Sequence, residues 1–164
     1  SMIMLKKILI FLIIINLNSC GYSPVYKLNN NIDFRIKTIK FEGDRAINNF
    51  LKSKFSRYSS SFLDEGEEFI FDIKSDYNKT ELSKDATGEV SVYQLELSVL
   101  IKTTTINSEN LEDFKEVTNQ YIFKEEFLLK NDSDKFREKR KENSIKQNLT
   151  NTIFDKFTIA FINR

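Results

Sequence analysis

Three long runs of alternation constrain this chain more than any other feature. Phe69, Phe71, Ile73, Ser75 and Tyr77 alternate with Glu68, Ile70, Asp72, Lys74 and Asp76. Tyr93, Leu95, Leu97, Val99 and Ile101 alternate with Gln94, Glu96, Ser98, Leu100 and Lys102. Val117, Tyr121, Phe123, Phe127 and Leu129 share the face opposite Thr118, Gln120, Lys124 and Glu126. Successive side chains on a strand point to opposite faces. A period of two sustained this long therefore predicts antiparallel strands with a single buried face. The links between the runs are turn-like. Lys84-Asp85-Ala86-Thr87-Gly88-Glu89 offers Gly88 for a positive φ, and Asn107 to Asp113 is polar.

The flanking segments complete the pattern. Phe34 to Phe41 reads as an earlier strand whose alternation slips once, which predicts a β-bulge. Gly43-Asp44 opens a helix with Asp44 as N-cap, and Ala46, Ile47, Phe50, Leu51, Phe55 and Tyr58 form its apolar stripe. Ser59-Ser60-Ser61 and Gly66 close that unit. Asp132 or Ser133 is expected to cap a terminal helix. Its first half, Lys135 to Lys141, is almost wholly charged, and its second half places Ile145, Leu149, Ile153, Phe157, Ala160 and Phe161 on one stripe.

The order is β-α-β-β-β-α. Two amphipathic helices can cover one face of a four-stranded sheet. The expected fold is therefore α+β, a two-layer sandwich with a mainly antiparallel sheet and both helices on one face. Phe71, Leu97 and Phe123 are expected on the covered face, with Phe50 and Phe157 packed over them. The other face carries mainly Thr, Gln, Asp, Glu, Lys and Ser, with Ile70, Leu100, Ile122 and Leu128 scattered through it.

Ahead of this domain lies a different kind of sequence. Lys6-Lys7 precede an apolar run from Ile8 that stops near Leu17, shorter than the roughly 20 residues a spanning helix needs. Leu17-Asn18-Ser19-Cys20 follows directly. It resembles the lipobox of bacterial lipoproteins, with an aliphatic residue three before the cysteine and a small one immediately before it. That resemblance implies a signal peptide over 1–19 and, on Cys20, a diacylglycerol thioether and a further acyl chain. Cys20 to Lys27 and Asn29-Asn30-Asn31 read as a lipidated tether over 20–31, which leaves a single domain over 32–164. Stable anchoring needs more than one chain at about 0.8 kcal/mol per buried CH₂, which a multiply acylated cysteine supplies. Gly21 in place of Asp is, by resemblance to enterobacterial lipoproteins, the pattern for the periplasmic side of the outer membrane. An uncleaved N-terminal anchor is the alternative.

Composition narrows the function. Twenty-five Lys and Arg stand against 24 Asp and Glu, and that balance gives no basic field for nucleic acid. There is no His and only one Cys, and the glycines Gly21, Gly43, Gly66 and Gly88 are each isolated. The Ser-His-Asp and Cys-His arrangements, the commonest zinc ligand and a phosphate-cradling glycine loop are thereby missing. No catalytic residue, metal site or cofactor is expected. Glu65, Glu67 and Glu68 read as a solvated strand edge. Lys135, Arg137, Lys139, Arg140 and Lys141 are interleaved with Asp134, Glu138 and Glu142, and read as a solvated helix face with i,i+3 and i,i+4 pairs.

Three stretches carry a resemblance to the LPS-assembly lipoprotein family LptE (RlpB). Cys20-Gly21-Tyr22-Ser23-Pro24-Val25-Tyr26 is similar to the family's Cys-Gly-aromatic start. Arg45-Ala46-Ile47 through Phe50-Leu51 resembles its first helix. Gly88 followed by Val92-Tyr93-Gln94-Leu95 resembles the turn into its third strand. The resemblance implies a non-catalytic protein that plugs the lumen of the large outer-membrane LPS-assembly β-barrel, helps it fold and contacts lipopolysaccharide. The family carries a lipopolysaccharide-contacting basic residue near the turn between the second and third strands. Ala86 stands at the aligned position here, and Lys84 is the nearby candidate. Two other readings remain: an auxiliary lipoprotein of an envelope ABC-type lipid transporter, and a small envelope hydrolase with an unusual acid pair.

Overall fold

Alternation in the strands and helical stripes at both flanks resolve into six elements. In the computed structural model these are β1 (Phe34–Gly43), α1 (Arg45–Ser59), β2 (Glu67–Lys84), β3 (Val90–Ile106), β4 (Val117–Lys130) and α2 (Lys135–Ile162). The structure describes residues 34–59, 67–106 and 116–164. The signal segment, Cys20, the tether, Glu65 and the links expected around Ser60–Gly66 and Asn107–Asp113 lie outside the described residues.

The sheet order is β1-β2-β3-β4, with β1 parallel to β2 and both later pairs antiparallel. This is the expected α+β order, and the one parallel pair has a simple cause. A helix between two strands of one sheet returns the chain to its starting end, so β2 runs in the direction of β1. The slip in β1 is a bulge at Lys37. Ile36 faces Phe69 and Thr38 faces Ile70, so Ile39 comes back in line with Phe71 on the inner face.

Asp44 caps α1 as its position suggests, its Oδ1 accepting from the Ile47 N–H at 2.9 Å. The α2 cap differs from expectation. Asp134 holds it, accepting from the Phe136 and Arg137 N–H groups. Asp132 is already occupied by the Asp134 N–H, Arg137 and Lys141, and Ser133 is not the cap.

Both helices lie on the same face, because Phe55 of α1 and Phe157 of α2 each meet Phe71, at ring-centroid distances of 5.5 and 5.8 Å. Phe69, Phe71, Leu95, Leu97, Val99 and Ile101 are fully buried beneath them. Burying each such side chain is worth about 1.5–3 kcal/mol, and edge-on ring pairs add about 0.5–1.5 kcal/mol. Phe71, Leu97 and Phe157 thus sit where the pattern puts them. Phe50 does not pack as expected: it is half-buried, and Phe55 takes the seat on Phe71. Phe123 is also only half-buried, and Val117 and Phe127 on the same face are 42% and 47% exposed. Their strand is the sheet's last, and parity decides which face a side chain joins without deciding whether a helix covers it.

Candidate functional site

The β2–β3 hairpin runs well beyond its apolar stretch, and there the inner face changes character. After Tyr77 the inward positions are Lys79, opposite Leu95, and Glu81, opposite Tyr93. The charged half of α2 lies over them. The Tyr77 hydroxyl donates to Glu142 Oε1 at 2.9 Å. Lys79 Nζ donates to Glu142 Oε2 at 2.9 Å and to Glu138 Oε1 at 3.1 Å, and sits 4.3 Å from the centre of the Tyr93 ring. The other Glu138 oxygen accepts from the Asp132 N–H at 2.9 Å and from Lys135 at 3.4 Å. Nearer α1, Lys146 lies 3.9 Å from the Tyr77 ring centre and reaches Asp44 at 3.4 Å.

This seam corrects one sequence expectation. Glu138 and Glu142 do not belong to a solvated face, since Glu138 is 5% exposed and Glu142 turns onto the sheet. The cations behave as expected only in part. Lys135 makes the i,i+3 pair with Glu138, whereas Arg137 and Lys141 converge on Asp132, and Arg140 stacks 4.9 Å from the Phe136 ring centre. The sequence signal that could have found the seam is a double one. The inner face turns charged at Lys79, and Glu138 and Glu142 stand one helical turn apart on α2.

The titration behaviour follows from these contacts. The Asp132 N–H bond, together with Lys79 and Lys135, holds the Glu138 carboxyl below its ordinary value against the opposing effect of burial. Burial and then the bond to Glu142 hold the Tyr77 hydroxyl protonated well above the usual tyrosine range. Burial acts to lower the Lys79 ammonium, but its bonds to Glu142 and Glu138 outweigh it and the net shift is upward. Every member is bonded to another, so the seam holds α2 against the hairpin and leaves no open acid–base pair at its centre.

At the hairpin end, Asp85 Oδ1 accepts from the Thr87 N–H, the Thr87 hydroxyl and the Glu89 N–H, and Gly88 takes φ 84°. The Thr87 hydroxyl is the main cause that holds the Asp85 carboxyl below its ordinary range. This is the turn that the glycine predicted. Lys84 ends β2 beside it, exposed and 3.5 Å from Glu81, and Ala86 is exposed at the tip. Register shifts near Ser83 leave Leu82 turned out, 52% exposed. Lys84 therefore presents a cation beside a hydrogen-bonded turn, partly answered by Glu81.

The uncovered sheet face is laced with ion pairs. Glu68 pairs with Arg35 and Lys37, Lys74 with Glu42, and Lys124 with both Glu96 and Glu126. Glu67 pairs with Arg164, so neither described member of the acidic trio is a bare carboxylate. In the middle of this face Leu100 lies opposite Ile122, which is 70% exposed. Among the described residues, no cluster of carboxylates and cysteine is placed to hold a metal ion, and no helix is long and apolar enough to cross a membrane.

No family model matches the chain, and no curated protein does. Solved structures do. Rare lipoprotein B from Shewanella oneidensis is 9% identical, with 77% of this chain and 97% of that one covered, at a TM-score of 0.41. A minor lipoprotein from Acinetobacter baumannii is 9% identical, covering 74% and 87%, at 0.45. Uncharacterized lipoprotein B from Nitrosomonas europaea is 15% identical, covering 78% and 86%, at 0.41.

Proposed function

We propose that this chain is a lipid-anchored outer-membrane lipoprotein that seats in the lumen of the large LPS-assembly β-barrel, helps it assemble and catalyses no reaction. The observation that carries the reading is the ordered resemblance to LptE (RlpB), from Cys20-Gly21-Tyr22 through Arg45–Leu51 to Val92-Tyr93-Gln94-Leu95. The second stretch falls in α1, and the third leads from the hairpin turn into β3. Barrel interiors are polar, and the ion-paired outer face suits such a lumen. A tether of about a dozen residues spans at most roughly 40 Å, so a domain anchored through Cys20 works close to the membrane surface. Lys84, at the exposed end of the hairpin, is the candidate lipopolysaccharide contact.

Pull-down from detergent-solubilised outer membrane tests the reading. Recovery of a large β-barrel supports it. Recovery of an inner-membrane transporter with no barrel replaces it with the ABC-auxiliary reading. Depletion of the protein should leave the barrel misassembled and the cells permeable to bulky antibiotics. Intact mass of the membrane-extracted chain should show cleavage before Cys20 plus lipid, and an unmodified chain that retains residues 2–19 would refute the anchor. Lys84→Glu should weaken binding of lipopolysaccharide while leaving the barrel complex intact.

A further inference from the structure

The two edges of the sheet are built differently. The β1 edge is short, broken by the bulge at Lys37 and lined by Arg35, Lys37 and Lys40. Bulges and edge lysines are the devices by which sheets avoid pairing with another strand. The β4 edge also carries charge, at Lys124, Glu125, Glu126 and Lys130, but its 14 residues are in unbroken register with β3, and it exposes Ile122 (70%), Phe127 (47%) and Leu128 (58%). Such an edge is a template for a further strand.

We infer that β4 pairs with β4 of a second copy of this chain, antiparallel, about a two-fold axis through Glu125. The strand is a near-palindrome about that residue. Counting outward from Glu125, Lys124 meets Glu126 of the second copy, Phe123 meets its Phe127, and Ile122 meets its Leu128. The exposed apolar residues thus find apolar partners, and the adjacent charges are opposite in sign at two symmetric places. A self-complementary patch of this kind is what an isologous contact requires. Centring the axis on Lys124 sets phenylalanine against glutamate and lysine against lysine. Centring it on Glu126 sets Lys124 against leucine. An axis between residues turns the inner face of one copy outward. Glu125 meets itself on the axis, and each carboxylate keeps the Lys156 of its own α2 as partner. Because the axis is normal to the sheet, both copies keep their helices on one side of a continuous sheet. This inference is independent of the proposed barrel partner.

The test uses the full chain, purified in detergent away from other membrane proteins and followed by sedimentation over a concentration series. The wild-type chain should move to twice the protein mass as concentration rises. Lys124→Glu and Glu126→Lys each place like charges opposite one another twice and should weaken association about tenfold. An equimolar mixture of the two variants restores opposite charges and should recover the dimer. Both positions are solvent-facing, and circular dichroism checks that each variant folds. A single-copy mass throughout, a dimer that neither variant weakens, or a mixture that fails to recover association would each overturn the inference.

Discussion

The Tyr77 hydroxyl is hydrogen-bonded to the Glu142 carboxylate at 2.9 Å, 65 positions along the chain. This bond and the two made by Lys79 attach the charged half of α2 to the far half of the β2–β3 hairpin. Without them that part of α2 would have little apolar surface to hold it in place, because the buried apolar residues of α2 begin at Leu149.

Glu138→Ala should therefore destabilise the domain. It strands the Asp132 N–H and removes one carboxylate from Lys79. Lys79 keeps Glu142 and is a quarter exposed, so the loss should be about 1–3 kcal/mol, less than for a fully buried pair. Urea unfolding of the variant against the wild type measures it.

Stability should fall on both sides of neutrality. The Glu138 and Asp132 carboxyls are held below their ordinary values, Glu138 by its bonds to the Asp132 N–H and Lys79, and Asp132 by Arg137 and Lys141. A lowered folded value gives stability that is present above the unfolded value and is lost as pH falls through the folded one. The melting temperature should thus hold down to about pH 5 and then decline. Glu138→Gln should flatten that decline. Tyr77 and Lys79 are raised, so their contribution is present below the unfolded values near 10 and is lost as pH climbs past about 10. Tyr77→Phe should reduce the alkaline loss.

Two glycine substitutions should differ sharply. Gly43 has φ 103°, and a Cβ there would lie 1.7 Å from the Ser75 carbonyl oxygen. Gly43→Ala must push β1 off β2 at the start of α1 and should cost about 3 kcal/mol or more, or abolish folding. Gly88 has φ 84° with open space around its Cβ position, so Gly88→Ala should cost about 1–2 kcal/mol. Denaturant midpoints of the two variants make the comparison.

Leu97→Asp should unfold the domain, since Leu97 is wholly buried under the helices and a carboxylate there would have no partner. Leu97→Ala should cost about 2–5 kcal/mol. Phe123→Ala should cost less than Phe71→Ala, because Phe123 is half-buried and Phe71 is fully enclosed. Equal losses in thermal melts would show that a helix covers β4 as fully as β2.

Lys84→Ala should leave stability unchanged within about 0.5 kcal/mol, its only described ion pair being the exposed one to Glu81. A larger shift in the melting temperature would mean that Lys84 supports the fold, and would weaken its assignment as a lipid contact.

Much of the fold is legible in the sequence because it is set locally. Alternation from Phe69 to Tyr77 and from Tyr93 to Ile101 assigns each side chain to a face by backbone geometry alone. Asp44 and Gly88 act within a few residues of themselves, as a cap and as a turn residue. The slip at Lys37 shows as a break in period before any partner strand is known.

The structure decided what depends on distant partners. Helix coverage stops short of Phe127 and Val117, so identical alternation yields a buried Phe71 and an exposed Phe127. Glu138 and Glu142 read as solvated until Lys79 and Tyr77 are brought beneath them. Periodicity, caps and glycines thus determined the elements, their order and their buried sides. Only tertiary packing decided which inward residues are covered and that Glu138 and Glu142 are partnered by Lys79 and Tyr77, because those surfaces meet across 59 to 65 positions of chain.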